Sequence, residues 1–139
     1  MIILDTNIVA ALMTDTPDSA VSAWLDRQPP SSVWITAITV FETRYGLNIM
    51  PVGRRKRRRE TEFELMIGVN LQNRILSYDA DAAGRAADLM AERRRIGRSI
   101  DLRDTMIAGI ALSQNATLAT RYVWHFDDLD VPVIDPWNA

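Results

Sequence analysis

The stretch IILDTNIVAAL, residues 2–12, decides the fold of this chain. Its first three residues are apolar and form a run of the length expected for a buried strand. A polar triplet at residues 5–7 follows at once, and Asp, Thr and Asn all favour the beginning of a helix. The apolar pattern resumes at Ile8, so the stretch predicts a strand that leads directly into a helix.

The same pattern recurs along the chain. After a helix with Thr16 as its N-cap and Pro17 in its first turn, a strand is predicted from Val33 to Ile35, and Thr36 caps the next helix. Further helices are predicted over residues 60–69, 80–95 and 102–113, and short strands within residues 74–79, 116–120 and 131–134. Because parallel strands are joined by crossovers that are usually helical, the sequence predicts one α/β domain over residues 1–139. Its expected architecture is a three-layer α/β/α sandwich around a mostly parallel sheet.

Composition narrows the classes of function. The chain has 139 residues and a formal net charge of −2, which argues against a protein that coats nucleic acid or membrane through an overall positive field. It contains no cysteine, so disulfides, thiolate metal sites and cysteine nucleophiles are excluded. No apolar stretch approaches the roughly 20 residues that a membrane span needs. We expect a cytoplasmic protein with no membrane partner.

Glu42 is an acid in an apolar pattern. Ile38, Tyr45 and Ile49 share its face of the predicted helix. Burying an unpaired charge costs several kcal/mol, so Glu42 should meet a cation, a metal ion or hydrogen-bond donors. A salt bridge to Arg44 is the simplest structural alternative.

Asp5 and Asp104 raise the same question. Asp5 follows the first strand, where it can simply cap the next helix. Asp104 lies on the apolar side of its helix, where it can complete a capping pair with Asp101 as the N-cap. Together with Glu42, however, both acids follow a strand or begin a helix, and such junctions meet at one edge of a parallel sheet. Because Lys56 is the only lysine, a divalent cation such as Mg²⁺ is the simplest neutraliser of the cluster.

These acids, in their order and spacing, resemble those of the PIN-domain ribonucleases, in particular the VapC-type toxins of bacterial toxin–antitoxin pairs, including FitB-like members. The matching stretches are ILDTNIVAAL, ITVFETRYG, GRSIDLRDTMIAGIA and TLATRYVWHFDDLDVPVIDPW. The resemblance implies a PIN-like sandwich with about five strands and an endoribonuclease that depends on Mg²⁺ or Mn²⁺. It also implies a cognate antitoxin that blocks the site, a homodimer, and a higher assembly with the antitoxin.

The resemblance also implies the site residues. Asp5, Glu42 and Asp104 match the three main acidic positions, which bind metal and act in catalysis. Thr6, Asn7 and Thr120 match supporting polar residues. The reaction would be metal-assisted hydrolysis of a phosphodiester, with Glu42 either a ligand through water or the base. Since a water nucleophile does not use the 2′-hydroxyl of RNA, we expect products with 5′-phosphate ends.

The sequence departs from the resemblance at a fourth site, where family members often have Asp or Asn and this chain has Tyr122. Tyrosine supplies no carboxylate oxygen, so a second metal ion is in doubt. Asp127, Asp128 or His125 in the following loop could reach the site in place of the missing side chain. A single histidine, however, is more often a packing or surface residue than a ligand.

Basic residues are segregated along the chain, since eleven of sixteen lie in two segments. The residues that we expect to contact RNA are Arg93, Arg94, Arg95 and Arg98, through phosphate, and Tyr122 and Trp124, through base stacking. For the run Arg54 to Arg59, phosphate contact and a solvated helix face balanced by nearby glutamates remain equal alternatives.

Two other functions compete with the ribonuclease. A phosphotransfer domain of the receiver or haloacid-dehalogenase type also places an Asp after an early strand, but it needs a second nearby Asp and a late lysine. A degenerate PIN-like module that binds RNA or a protein partner without cleavage is the second alternative, and Tyr122 is the residue that motivates it.

Overall fold

The computed structural model describes residues 1–139. Five parallel strands form one sheet in the order β3-β2-β1-β4-β5. The strands are β1 (Ile2–Leu4), β2 (Val33–Thr36), β3 (Ile75–Leu76), β4 (Thr117–Ala119) and β5 (Val133–Ile134). The predicted parallel α/β fold is therefore confirmed.

Six α-helices cover the sheet. They are α1 (Thr6–Leu12), α2 (Ser19–Asp26), α3 (Ala37–Asn48), α4 (Arg54–Leu65), α5 (Ala80–Arg95) and α6 (Leu102–Gln114). Short 3₁₀ turns occupy Pro30–Ser32 and Val123–His125, and a π-helical turn, Met66–Asn70, continues α4. None of these helices combines the length and the apolar character that crossing a membrane requires.

The apolar core lies on both faces of the sheet, as a three-layer sandwich requires. Successive residues of a strand point to opposite faces, and β1 shows this directly. Leu4 packs into a cluster with Trp24 and Phe63, whereas Ile3 packs into a second cluster with Ile107 and Phe126. Burial on both faces explains why the strands are continuous apolar runs.

Two predicted boundaries are wrong for identifiable reasons. Helix α2 begins at Ser19, because Asp18 rather than Thr16 accepts hydrogen bonds from the backbone of Ala20 and Val21. Helix α4 begins at Arg54 rather than near residue 60. The arginine run is therefore its first two turns, and buried Arg59 anchors it by donating to Asp15 and Glu62.

The sheet topology fixes where a ligand can bind. The chain passes from β1 to β2 on one side of the sheet, and it later returns to pair β4 with the other edge of β1. In parallel sheets, ligands bind beyond the carboxyl ends of the strands where the strand order reverses. Asp5 and Thr120 directly follow these two strands, so both lie at that point.

Candidate active site

Asp5 is held rigidly at the end of β1. Its carboxylate is 3% exposed, and it caps α1 by accepting a hydrogen bond from the Thr6 backbone at 2.8 Å. Its Oδ2 accepts from Asn7 Nδ2 at 2.9 Å and from Thr120 Oγ1 at 2.8 Å. The structure thus brings Thr6, Asn7 and Thr120 together around Asp5, and the capping role and the site role coexist in one side chain.

The ionised form of the Asp5 carboxylate is disfavoured despite these hydrogen bonds. Burial raises the pKa of Asp5, and the negative charge of Asp104 raises it further, while the hydrogen bonds from Thr120, Thr6 and Asn7 act in the opposite direction. Burial prevails, because water is lost on nearly all sides of the carboxylate. A positive charge placed between Asp5 and Asp104 would remove this penalty.

Glu42 faces the same region from α3. Thr6 Oγ1 donates to Glu42 Oε1 at 2.8 Å and also contacts Thr39 Oγ1 at 3.0 Å. The Arg44 salt bridge does not form, since Arg44 pairs with Glu64 at 2.8 Å; the cation near Glu42 is instead Arg103, at 3.8 Å. Burial raises the pKa of Glu42, and these partners only partly oppose it.

The apolar face expected around Glu42 is only partly buried. Ile38 packs against the core, but Tyr45 and Ile49 are exposed. The apolar pattern therefore does not correspond to a helix face that is buried along its whole length. Glu42 itself remains largely shielded, with 19% of its side chain exposed, because α1 rather than the core covers it through Thr6.

Asp104 lies in the first turn of α6, where Asp101 is the N-cap as expected. Its Oδ2 is 2.8 Å from Nδ1 of His125. Burial raises the pKa of Asp104, the contact with His125 acts in the opposite direction, and the charges of Asp101 and Glu42 add to the rise. All three acids therefore lie within electrostatic reach of one another.

The three acids do not form a closed cage. No group of three or more histidine or acidic side chains converges closely enough to enclose a metal ion. Mg²⁺ does not need such a cage, because it is usually held by one or two carboxylates together with water and substrate phosphate. An all-oxygen donor set with electrostatic strain between Asp5 and Asp104 fits a hard divalent cation of that kind.

Two arginines expected to contact RNA are engaged inside the protein. Arg93 is 2% exposed and donates to both carboxylate oxygens of Asp128 at 2.9 Å. Arg98 pairs with Asp127 at 2.7 Å and Asp128 at 3.4 Å and donates to the carbonyl of Trp124. The prediction that Arg93 contacts RNA is wrong, because its guanidinium is buried in these contacts. Arg98 keeps 26% of its side chain exposed, although its ion pairs hold it against the loop that follows β4.

The remaining RNA candidates are accessible. Arg94 is exposed and has no acidic partner, whereas exposed Arg95 pairs with Glu92 at 2.7 Å. Tyr122 is 46% exposed and Trp124 is 64% exposed, and both rings contact the ring of His125. These aromatic side chains are therefore available for stacking next to Asp104.

Sequence reasoning missed several residues of the site. Thr39 is fully buried and extends the hydroxyl chain from Thr6. Exposed Arg103 approaches Glu42, and the Arg121 backbone donates to Asn7 Oδ1 at 3.0 Å. A signal existed for Thr39, which lies one helical turn before Glu42, but nothing in the sequence separated Arg103 from the other arginines.

Comparisons with known proteins agree with the fold. The family model of the PIN domain matches residues 2–128. The chain is 38% identical over 138 residues to a VapC ribonuclease, Y4jK, of Sinorhizobium fredii and 33% identical over 138 residues to the toxin FitB of Neisseria gonorrhoeae, with 99% of each chain covered in both cases. The crystal structure of FitAcB from Neisseria gonorrhoeae superposes with a TM-score of 0.91 at 33% identity and covers the whole of both chains. The chain therefore belongs to the PIN domain family.

Proposed function

We propose that this protein is an endoribonuclease that hydrolyses RNA phosphodiesters with Mg²⁺ or Mn²⁺ and that it is the toxin of a toxin–antitoxin pair. One observation carries the proposal. The fixed carboxylate of Asp5 faces Asp104 and Glu42 at the ligand-binding edge of the sheet, in a chain whose relatives include proteins named as VapC ribonucleases. A nuclease hydrolase is the activity that this family membership supports.

The surroundings of the three acids suit them to different roles. Asp5 and Asp104 would hold the ion, since hydrogen bonds orient the Asp5 carboxylate, His125 contacts Asp104, and each acid raises the pKa of an acidic neighbour. Held by these residues, a divalent cation would supply the positive charge that favours activation of water and offsets the charge of the phosphate. Glu42 keeps one oxygen on Thr6, so its other oxygen can accept the proton of the attacking water.

RNA would be bound around this centre by exposed groups. Arg103 lies beside Glu42 and can contact a phosphate oxygen, because its side chain is 49% exposed. Arg94 adds a free positive charge on α5. Trp124 and Tyr122 present rings to unpaired bases, and such stacking contributes about 1–3 kcal/mol per base. Attack by water on phosphorus with cleavage of the P–O3′ bond would release a 3′-hydroxyl and leave a 5′-phosphate end.

Binding to an antitoxin is proposed from the structural neighbours, and a homodimer is proposed from an exposed surface of this chain. Structural neighbours include FitAB bound to a DNA fragment and DNA-bound VapBC from Salmonella typhimurium, with TM-scores of 0.90 and 0.82. By analogy, this chain would bind a cognate antitoxin. A homodimer is proposed from α3, which exposes Phe41, Tyr45 and Ile49.

A binding module without cleavage is the second candidate. Tyr122 occupies the position of a fourth acid, and three acidic or histidine side chains do not converge on one point. Such a protein would bind RNA or a protein partner through the same edge of the sheet and would need no ion.

Cleavage of RNA with and without metal separates the two. Partner-free protein is incubated with a mixed RNA substrate in Mg²⁺, Mn²⁺ or EDTA, alongside Asp5→Asn and Glu42→Gln, and the product ends are mapped. Metal-dependent cleavage with 5′-phosphate ends that both variants lose supports the ribonuclease. Products with 2′,3′-cyclic phosphate overturn the mechanism. RNA binding without cleavage in any metal favours the binding module.

A further inference from the structure

His125 is the residue of the loop after β4 that reaches an acid of the site. Its Nδ1 lies 2.8 Å from Oδ2 of Asp104. Tyr122, where the resemblance implies Asp or Asn, is instead 46% exposed. The place next to Asp104 is therefore taken by an imidazole from three residues further along the chain.

The two acids of the same loop form ion pairs with arginines outside the site. Asp128 accepts hydrogen bonds from Arg93 Nε and Nη2 at 2.9 Å each. Asp127 pairs with Arg98 at 2.7 Å. Neither carboxylate can replace the fourth acid without breaking an ion pair, so His125 alone of the three loop candidates is left to serve the site.

The contact between His125 and Asp104 is fixed from both sides. Arg93 Nη2 donates to the His125 carbonyl at 2.8 Å, and Arg93 Nη1 donates to Thr105 Oγ1 at 3.1 Å, one residue after Asp104. The next residue, Phe126, is fully buried in the core. One buried guanidinium thus sets the distance between the two backbones that carry the contact.

The imidazole nitrogen has no other partner. Nδ1 of His125 is buried and makes no hydrogen bond of standard geometry, although Oδ2 of Asp104 lies within reach. Leaving a buried nitrogen without any polar neighbour is unfavourable by about 1–3 kcal/mol, so the Asp104 carboxylate, the one polar group within reach, favours this orientation of the imidazole. The rings of Tyr122 and Trp124 also pack against the imidazole, but that packing alone would not require a nitrogen at this place.

We propose that His125 is a positioning residue that holds the Asp104 carboxylate in its binding orientation through Nδ1, and that Arg93 fixes the pair. This inference rests on the proposed function, in which Asp104 holds a divalent cation. Partners that orient a ligating carboxylate or imidazole are worth about 10–100-fold in metal affinity or activity. His125 would stand in for the fourth acid by ordering a ligand rather than by adding a carboxylate.

The contact itself can be tested without metal or RNA. The chain has a single histidine, so a tag-free protein gives one set of imidazole signals in ¹⁵N-edited NMR spectra. We expect Asp104→Asn to shift the Nδ1 resonance and Asp127→Asn to leave it unchanged. An Nδ1 resonance that is the same in wild type and Asp104→Asn overturns the proposal, whatever the protein cleaves.

The positioning role is tested by Mn²⁺ titration in a calorimeter without RNA. His125→Phe keeps a ring between Tyr122 and Trp124 but removes Nδ1, whereas His125→Asn keeps an amide near the place of Nδ1. We expect His125→Phe to weaken Mn²⁺ binding about 10–100-fold. The Mn²⁺ affinity of His125→Asn should stay within about threefold of wild type. Wild-type affinity in the Phe variant, or an equal loss in both variants with the fold intact, overturns the proposal.

Kinetics separate this role from base stacking. If His125 orders Asp104, His125→Phe lowers kcat for RNA cleavage and leaves KM unchanged; a rise in KM alone would assign the ring to RNA binding and overturn the proposal. If wild type does not cleave RNA at all, the proposed ribonuclease fails, yet the Mn²⁺ titration and the NMR spectra still decide the role of His125.

Discussion

Thr120 Oγ1 donates a hydrogen bond of 2.8 Å to Oδ2 of Asp5, and it thereby joins the ends of β4 and β1 beneath the site. The same hydroxyl oxygen accepts from Asn7 Nδ2 at 3.2 Å and from the Tyr122 backbone at 3.1 Å. One buried hydroxyl therefore orders the acid, its amide neighbour and the start of the loop that carries His125.

Thr120→Val keeps the shape of this side chain and removes its hydroxyl. Because hydrogen bonds to charged groups contribute about 1.5–3 kcal/mol, we expect a loss of stability of that order and a large fall in RNA cleavage. Thr120→Ser retains the hydroxyl and should keep most of both. Urea denaturation and cleavage rates measure the effects, and equal behaviour of Val and Ser would show that the hydroxyl is dispensable.

Glu42 should make the metal-free protein less stable as the pH rises. Burial raises its pKa above 4.5, so the native state prefers the protonated acid. The stability that this preference contributes is full below the pKa of the unfolded chain and is lost as pH rises through the higher native pKa. Glu42→Gln retains an oxygen that can accept from Thr6 but does not ionise.

We therefore expect the free energy of unfolding of Glu42→Gln, relative to that of wild type in EDTA, to increase as the pH rises from 4 to 8. Thermal or urea unfolding at several pH values measures the difference between the two proteins, in which titrating groups that do not interact with Glu42 cancel. A difference that stays constant over this range would contradict the raised pKa. Saturating Mn²⁺ should reduce the gain, because a cation stabilises the ionised form of nearby acids.

Much of the fold and of the acidic site could be predicted from sequence because local rules decide them. Asp5 directly follows a strand that is buried on both faces, and parallel topology carries every such junction to one edge. Thr120 follows β4 in the same way. These residues are placed by their position relative to strands, which hydrophobic patterns reveal.

The contacts of the loop after β4 could not be predicted, because they depend on distances between elements far apart in sequence. Arg93 and Arg94 are neighbours with the same chemistry, yet one is buried against Asp128 and the other is exposed. The choice follows from the face of α5 that meets α6, and not from the local pattern. For the same reason the sequence leaves His125 as one of three open candidates with Asp127 and Asp128, since its contact with Asp104 spans two elements.

Gly109 allows α5 and α6 to approach closely. A Cβ at this position would lie 2.5 Å from the Ala82 carbonyl oxygen and 2.8 Å from the Ala86 Cβ. Backbone atoms cannot move aside cheaply, so we expect Gly109→Ala to destabilise the fold by about 1–3 kcal/mol.

Gly84→Ala is the matched control. Gly84 is also helical, but it is exposed and no atom lies within 4 Å of its added Cβ. Since Ala is favoured over Gly in a helix by about 0.5–1 kcal/mol, this variant should be slightly more stable. Chemical denaturation of both variants measures the contrast, and similar effects would show that the close approach is not tight in solution.

Arg93→Lys should reveal a structural role. Lysine keeps the charge but cannot bond Asp128, Thr105 and the His125 carbonyl together, as the planar guanidinium does. We expect a loss of stability of about 3 kcal/mol, near the lower end for breaking a buried ion pair. Thermal unfolding measures it, and a wild-type melting temperature would contradict the anchoring role.

Arg94→Ala should show the opposite behaviour. The side chain is exposed and unpaired, so stability should change by less than about 0.5 kcal/mol. If Arg94 contacts a phosphate, the slope of log affinity for RNA against log salt should decrease by about 1. Fluorescence anisotropy at several salt concentrations measures that slope, and an unchanged slope would remove Arg94 from the RNA surface.

The exposed apolar surface of α3 is the predicted interface of the homodimer. Phe41, Tyr45 and Ile49 are 60%, 56% and 66% exposed, and the rings of Phe41 and Tyr45 stack with centroids 6.4 Å apart. Residues spaced by four lie along one side of a helix, so they form a continuous apolar patch rather than scattered exposures. Exposed apolar patches are typical of interaction surfaces, and a second copy of the chain is the occupant that the proposed homodimer would supply.

Tyr45→Asp places a charge within this patch and should convert a dimer into a monomer, because an unpaired charge is unfavourable in an apolar interface. Val69→Asp is the control, since Val69 is 65% exposed but lies in the π-helical turn, outside α3. Sedimentation velocity on the partner-free protein measures the mass of each species. A monomeric wild type would contradict the homodimer, and a Tyr45→Asp variant that remains dimeric would place its interface on another surface.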